Sequence, residues 1–121
     1  MPRFVVLEHT GTPDYKPGVH WDFMLEDADS LRTWELAAPL TSDTPIAAIE
    51  LPAHRLAYLE YEGPISQNRG NVRRFDCGEY ELLSASEAEI TLRLMGTQCR
   101  GIARLTRYAD STNWTFVLSA E

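Results

Sequence analysis

His9, His20 and Asp22 are the residues of this chain whose types and spacing best suit chemistry. His20 and Asp22 stand two apart in the run "VHWDFML" (19–25), and in an extended strand such residues point to one face. That face carries an imidazole, a carboxylate and Met24, whereas Val19, Trp21, Phe23 and Leu25 fall on the other and read as core. The imidazole and carboxylate can share a metal ion, or hydrogen-bond to each other at a wet surface. If 3–9 and 19–26 pair as antiparallel strands, His9 at the end of one meets His20 at the start of the next. Two neutral imidazoles and a carboxylate suit Mn²⁺, Zn²⁺ or Fe²⁺ and leave coordination positions open for water and substrate. His54 enters a segment whose alternate residues are Leu56, Tyr58 and Glu60. As imidazole titrates near neutrality, it is a candidate further ligand, proton donor or phosphate contact. His20, Asp22 and a distal His54 also imitate the 2-His-1-carboxylate triad of non-heme Fe(II) oxygenases, a reading that leaves His9 unexplained.

The elements that must position these residues are strands. β-Branched and aromatic residues alternate with polar ones in short runs separated by Gly, Pro, Asp and Asn clusters. Strands are predicted at 3–9, 19–26, 32–37, 46–50, 56–60, 71–76, 79–83, 89–95, 100–107 and 113–119. At most a short helix or single turn fits near 84–88 or 51–55. The expected class is therefore mainly β, a small antiparallel β-barrel or a sandwich formed by one domain over 1–121. "TGTPDYKPG" (10–18) reads as a long hairpin loop, "DCGE" (76–79) as a tight turn with Gly78 free to take positive φ, and "EGPISQNRGN" (62–71) as the longest polar connection. Trp21, Trp34, Trp114, Phe23 and Phe116 read as core.

The 121 residues suit one hydrophobic core, and the composition, 44% apolar and 24% charged, is that of a globular protein. Apolar runs such as "FVVL" (4–7) are too short to span a bilayer, which gives a cytoplasmic expectation and no membrane partner. Cys77 and Cys99 lack CxxC spacing and read as reduced thiols. The net charge of −7 argues against indiscriminate nucleic-acid binding. The charge is uneven, however: residues 1–68 hold 4 basic and 11 acidic side chains, and 69–107 hold 7 arginines against 5 acids. Arginine is the side chain that grips phosphate bidentately. "EDAD" (26–29) lacks the spacing of a calcium loop, and no P-loop, dinucleotide fingerprint or nucleophile elbow is present.

In order along the chain, "FVVLEH", "HWDFMLE", "TWELAAPL", "HRLAYLEYEGPI", "GNVRRFDCGEYELL", "ITLRLMGTQCRGIARLTR" and "NWTFVLSA" resemble the 3′-phosphoesterase domain of bacterial DNA ligase D, an end-healing module of non-homologous end joining. The resemblance implies a small β-barrel with a polar cavity, a catalytic divalent metal, usually Mn²⁺, and substrates that are 3′-phosphate or 3′-ribonucleotide ends of nucleic acid. By position, His9, His20 and Asp22 match the metal ligands, His54 a phosphate-contacting histidine, and Tyr58 a tyrosine of the same pocket. Met24, Ala38 and, roughly, Ile46 stand where the resemblance implies Arg, Lys and Arg. Replacement phosphate-binding cations are sought in Arg55, Arg69, Arg73 and Arg74. The sequence thus supports a stand-alone, metal-dependent phosphoesterase, with a separate ligase or polymerase as a possible partner. Its non-enzymatic alternative is a degenerate module that binds DNA ends or a repair protein without turnover.

Overall fold

A computed structural model describes residues 1–120. Nine strands form one antiparallel sheet: β1 (Arg3–Thr12), β2 (Tyr15–Asp27), β3 (Ser30–Leu36), β4 (Ile46–Arg55), β5 (Gly63–Pro64), β6 (Asn71–Ala85), β7 (Glu89–Gly96), β8 (Arg100–Arg107) and β9 (Asn113–Ser119). The order is β1-β2-β3-β4-β9-β8-β7-β6-β5, and β1 also pairs with β6. The sheet therefore closes into a ring of eight strands, with two-residue β5 as an outer rib on β6. This is the barrel-like, mainly β architecture expected from the alternation, and closure leaves few strand edges unpaired.

Alternation divides the side chains between two apolar clusters. All eight ring strands feed one of them, which includes Phe4, Phe23, Trp34, Leu92, Leu105 and Phe116, all fully buried. It fills the inside of the ring. Phe23 of β2 lies 5.2 Å in centroid separation from Phe116 of β9, and 6.2 Å from both Phe4 and Trp34. The second cluster, Val5, Leu7, Met24, Leu31, Leu59 and Val72, uses the opposite faces of β1, β2, β3 and β6. It lies outside the ring beneath Leu56, Tyr58 and Ile65. Both faces of β1 are covered in this way, which is why "FVVL" is apolar without alternation.

Several joints differ from the sequence reading. Residues 10–18 are mostly strand, since β1 and β2 pair out to Thr12↔Tyr15 with an irregularity between Thr10 and Thr12. Residues 51–55 complete β4, and the strand expected at 56–60 is a 3₁₀ turn, Leu56–Leu59. Leu56 and Leu59, three apart, both pack on the outer cluster, a spacing that a three-residue turn satisfies and a strand does not. Residues 84–88 hold the end of β6 and a tight turn in which Ser86 Oγ accepts from the Ala88 and Glu89 amides. "DCGE" is no turn, because β6 runs through it. Gly78 is required there for closeness rather than for positive φ: a Cβ would stand 2.3 Å from the Met95 carbonyl oxygen of β7.

Gly78→Ala should accordingly lower the unfolding free energy by about 1–3 kcal/mol, the usual cost of overpacking. Urea denaturation checks this; an unchanged midpoint would restore the turn reading.

Candidate metal centre and cavity

Antiparallel pairing sets His9 directly opposite His20, with Asp22 opposite Leu7 one pleat along. One ligand atom from each of His9, His20 and Asp22 falls within 4.8 Å of the others. The imidazole centroids are 4.5 Å apart, and all three residues are buried.

The protonation pattern shows what this cluster can hold. His9 Nε2 lies 2.8 Å from the Arg69 carbonyl oxygen, an atom that only accepts, so this nitrogen carries the proton. Gly70 makes the approach possible, since a Cβ there would come within 2.0 Å of the Thr10 carbonyl oxygen. His9 Nδ1 then faces Asp22 Oδ2 at 3.5 Å. In neutral His9 this would set a lone pair against a carboxylate, which is favourable only with a proton or a metal cation at that nitrogen. Asp22 Oδ1 stands 3.2 Å from His20 Nε2, yet is buried without a partner in hydrogen-bond geometry. An orphaned carboxylate oxygen and two imidazoles, one oriented by a backbone carbonyl, form a donor set that fits a divalent cation.

The same contacts move the titrations. The Asp22 carboxylate beside His9 raises the imidazole pKa against the opposing effect of burial, and the Arg69 carbonyl adds to the rise. Burial works against ionisation of Asp22, but the two imidazoles outweigh it and hold the pKa at about 2.

The cluster opens into a cavity of about 490 Å³. The cavity is not the inside of the ring; it lies on the outer face, between the hairpin β1–β2, the end of β4 and the segment carrying Tyr58, Ile65 and Arg69. His54 and Tyr58 line it, 5.8 Å apart in centroid separation. His54 Nδ1 donates to the Pro52 carbonyl at 2.9 Å, which leaves Nε2 as the free ring nitrogen. Arg55 and Arg69 line the cavity as well, with the Arg69 guanidinium tied to the Ser66 carbonyl and hydroxyl. Arg73 is outside the lining and pairs with Glu8 at 2.9 Å, and Arg74 borders a different hollow beside Glu60 and Cys77. Ala38 packs against the interior cluster and Ile46 belongs to it, so neither position presents a side chain to the cavity. Met24 alone of the three non-cationic positions lines it.

Sequence reasoning passed over Lys16 and Glu35. Lys16 lines the cavity from the β1–β2 hairpin, in the left-handed region at φ 46°. Its Nζ is 2.7 Å from Glu35 Oε1, which is itself 3.7 Å from His20 Nε2. Glu35 was legible in principle, because it pairs with Asp22 across β2 and β3 and so shares its face. Lys16 was hidden by the expectation of a loose loop.

A closed β sheet thus carries, in one cavity wall, a His/Asp cluster that could hold a divalent cation together with the side chains of Lys16, Arg55 and Arg69. The chain belongs to the family of the DNA ligase D 3′-phosphoesterase domain, whose model matches residues 12–107. His20, Asp22 and His54 fall inside the match, and His9 precedes it. No significant match is found among curated proteins. Among the described residues, no helix is long and apolar enough to cross a membrane.

Two outcomes follow for metal-free and metal-loaded protein. With chelator present, the stability contributed by Asp22 is complete above its unfolded value of 3.8 and is lost as the pH falls through about 2. That of His9 is complete below 6.5 and is lost as the pH rises through its raised folded value. Urea midpoints against pH should show the acid limb in wild type and lose it in Asp22→Asn. Mn²⁺ or Zn²⁺ must displace the His9 proton, so calorimetric affinity should rise from pH 6 to pH 8 and be abolished by His20→Ala.

Proposed function

We propose that this protein is a divalent-metal-dependent 3′-phosphoesterase that trims 3′-phosphate or 3′-ribonucleotide ends of nucleic acid during DNA repair. Family membership supports the end-processing role. The observation that carries the metal dependence is the convergence of His9, His20 and Asp22 on one point in the cavity wall. Manganese suits the mixed nitrogen and oxygen donors, with zinc as the runner-up. When bound, such an ion supplies positive charge against a phosphate oxygen and acidifies water.

The chain's own side chains do the remainder. Lys16 and Arg55 offer positive charge within the cavity, and Arg69 supplies both a cation and the carbonyl that orients His9. Burial opposes the charge of Lys16, but Glu35 outweighs it and raises the pKa, so Lys16 stays cationic. A phosphate competing with Glu35 would take over that ammonium. His54 Nε2, free because Nδ1 is committed to Pro52, is positioned to bind a phosphate oxygen or to pass a proton to the leaving oxygen. Tyr58 supports the His54 ring edge-on. The product, a 3′-hydroxyl end, is what a ligase or polymerase requires, and such an enzyme in the cytoplasm is the proposed partner.

Met24 in the cavity, and the engagement of Lys16 and Arg69 with neighbours, favour a second reading: a module that binds DNA ends without turnover. Phosphate release from a 3′-phosphate primer terminus with Mn²⁺ separates the two. His9→Ala, Asp22→Ala and His54→Ala should each reduce the rate by roughly two to three orders of magnitude, and Lys16→Met should lower kcat/KM by about ten- to a hundredfold. Binding without release would favour the second reading. Release that none of the substitutions alters would place the chemistry elsewhere.

A further inference from the structure

We propose that a second, smaller cavity receives the terminal nucleobase of the substrate, with Arg55 at the junction holding a backbone phosphate; the inference rests on the phosphoesterase reading and specifies its substrate. This cavity measures about 220 Å³, room enough for one base, and its lining includes Arg55, Tyr58, Tyr61, Ile65 and Ser66. Arg55, Tyr58 and Ile65 also line the main cavity, so the two are continuous.

The rings form a stepped row leading away from the metal centre. His54 meets Tyr58 edge-on at 5.8 Å and 67°, and Tyr58 meets Tyr61 at 5.9 Å and 88°. Tyr61 is held but uncovered: its hydroxyl donates to the Pro64 carbonyl, while the residue stays 38% exposed. A ring fixed at its hydroxyl and partly exposed at a cavity is suited to stacking, because its ordering cost is met before any ligand arrives.

Arg55 completes the arrangement. Its guanidinium carbon is 5.9 Å from the Tyr58 centroid, and among the described residues it forms no ion pair. Lys16 and Arg69, by contrast, are engaged by Glu35 and Ser66. A polyanion whose 3′-terminal phosphate sits at the His/Asp cluster and whose base lies on Tyr61 would carry its next phosphate past this free cation. Ser66 offers the second cavity's one uncharged side-chain hydrogen-bonding group besides the tyrosine hydroxyls, and stacking accepts any base, so the subsite reads the presence of a base rather than its identity.

The test uses the full chain loaded with Mn²⁺ and 3′-phosphate oligonucleotides of one sequence, ending in each of the four bases or in an abasic sugar. Wild type should take all four bases alike and the abasic end with a KM raised roughly tenfold. Tyr61→Ala should bring the base-bearing ends down to the abasic level, and Tyr61→Trp should restore the preference. Wild type that processes abasic and base-bearing ends equally overturns this inference while leaving the phosphoesterase reading intact, as does a Tyr61→Ala that weakens both kinds of end equally. Absence of binding and cleavage of every 3′-phosphate end overturns both. The wild-type comparison requires no variant to fold.

Discussion

The antiparallel register that sets His9 across from His20 is the constraint on which the remaining chemistry depends. A strand alternates with period two, so a slip of one residue would carry His20 and Asp22 into the ring and bring Trp21 and Phe23 out. The interior cluster prevents this. Phe23 is fully buried among Phe4, Trp34 and Phe116, and a Phe→Ala change at such a site typically costs about 3–5 kcal/mol. The polar face of β2 is therefore positioned by the apolar one, and the geometry of the His/Asp cluster is a by-product of hydrophobic packing on the reverse of the same strand.

A second layer of control comes from outside the sheet. The segment from the 3₁₀ turn to β6 covers the outer cluster with Leu56, Leu59 and Ile65 and delivers the Arg69 carbonyl to His9. Its regular backbone pairing with the sheet is limited to the two pairs of β5 with β6, supplemented by the Thr12 hydroxyl donating to the Asn68 carbonyl and the Arg74 amide donating to the Glu62 carboxylate. One backbone oxygen on this roof fixes which nitrogen of His9 faces Asp22. Order in a short irregular segment thus determines whether His9 turns a lone pair or a proton toward Asp22.

The strands and the His9, His20 and Asp22 cluster were readable because they rest on period-two patterning and on one antiparallel pairing. What was unreadable has specific causes. Gly78 looks like a turn residue, and only the distance to the Met95 carbonyl reveals a strand that needs a missing side chain. Leu56 and Tyr58 alternate as a strand would, but the 3₁₀ turn packs a half-buried Leu56 beside buried Leu59 on the outer cluster. Ala38 and Ile46 could be compared with implied cations in sequence, yet the interior cluster takes both positions out of the cavity. Arg73 was among the arginines sought as phosphate-binding cations, whereas it pairs with Glu8 outside the cavity lining. In each case the deciding contact joins segments distant along the chain.

Lys16 stands at the hairpin turn in a left-handed conformation, so its reach into the cavity is governed by the length of the hairpin rather than by the ring. Each residue added to or removed from a strand changes its extent by about 3.3 Å. An insertion or deletion of two residues at this tip would keep the alternation and shift that positive charge along the strand, whereas a change of one residue would turn it to the opposite face. Hairpin length at this tip therefore obeys a parity rule: only even changes keep the lysine on the cavity side of the sheet.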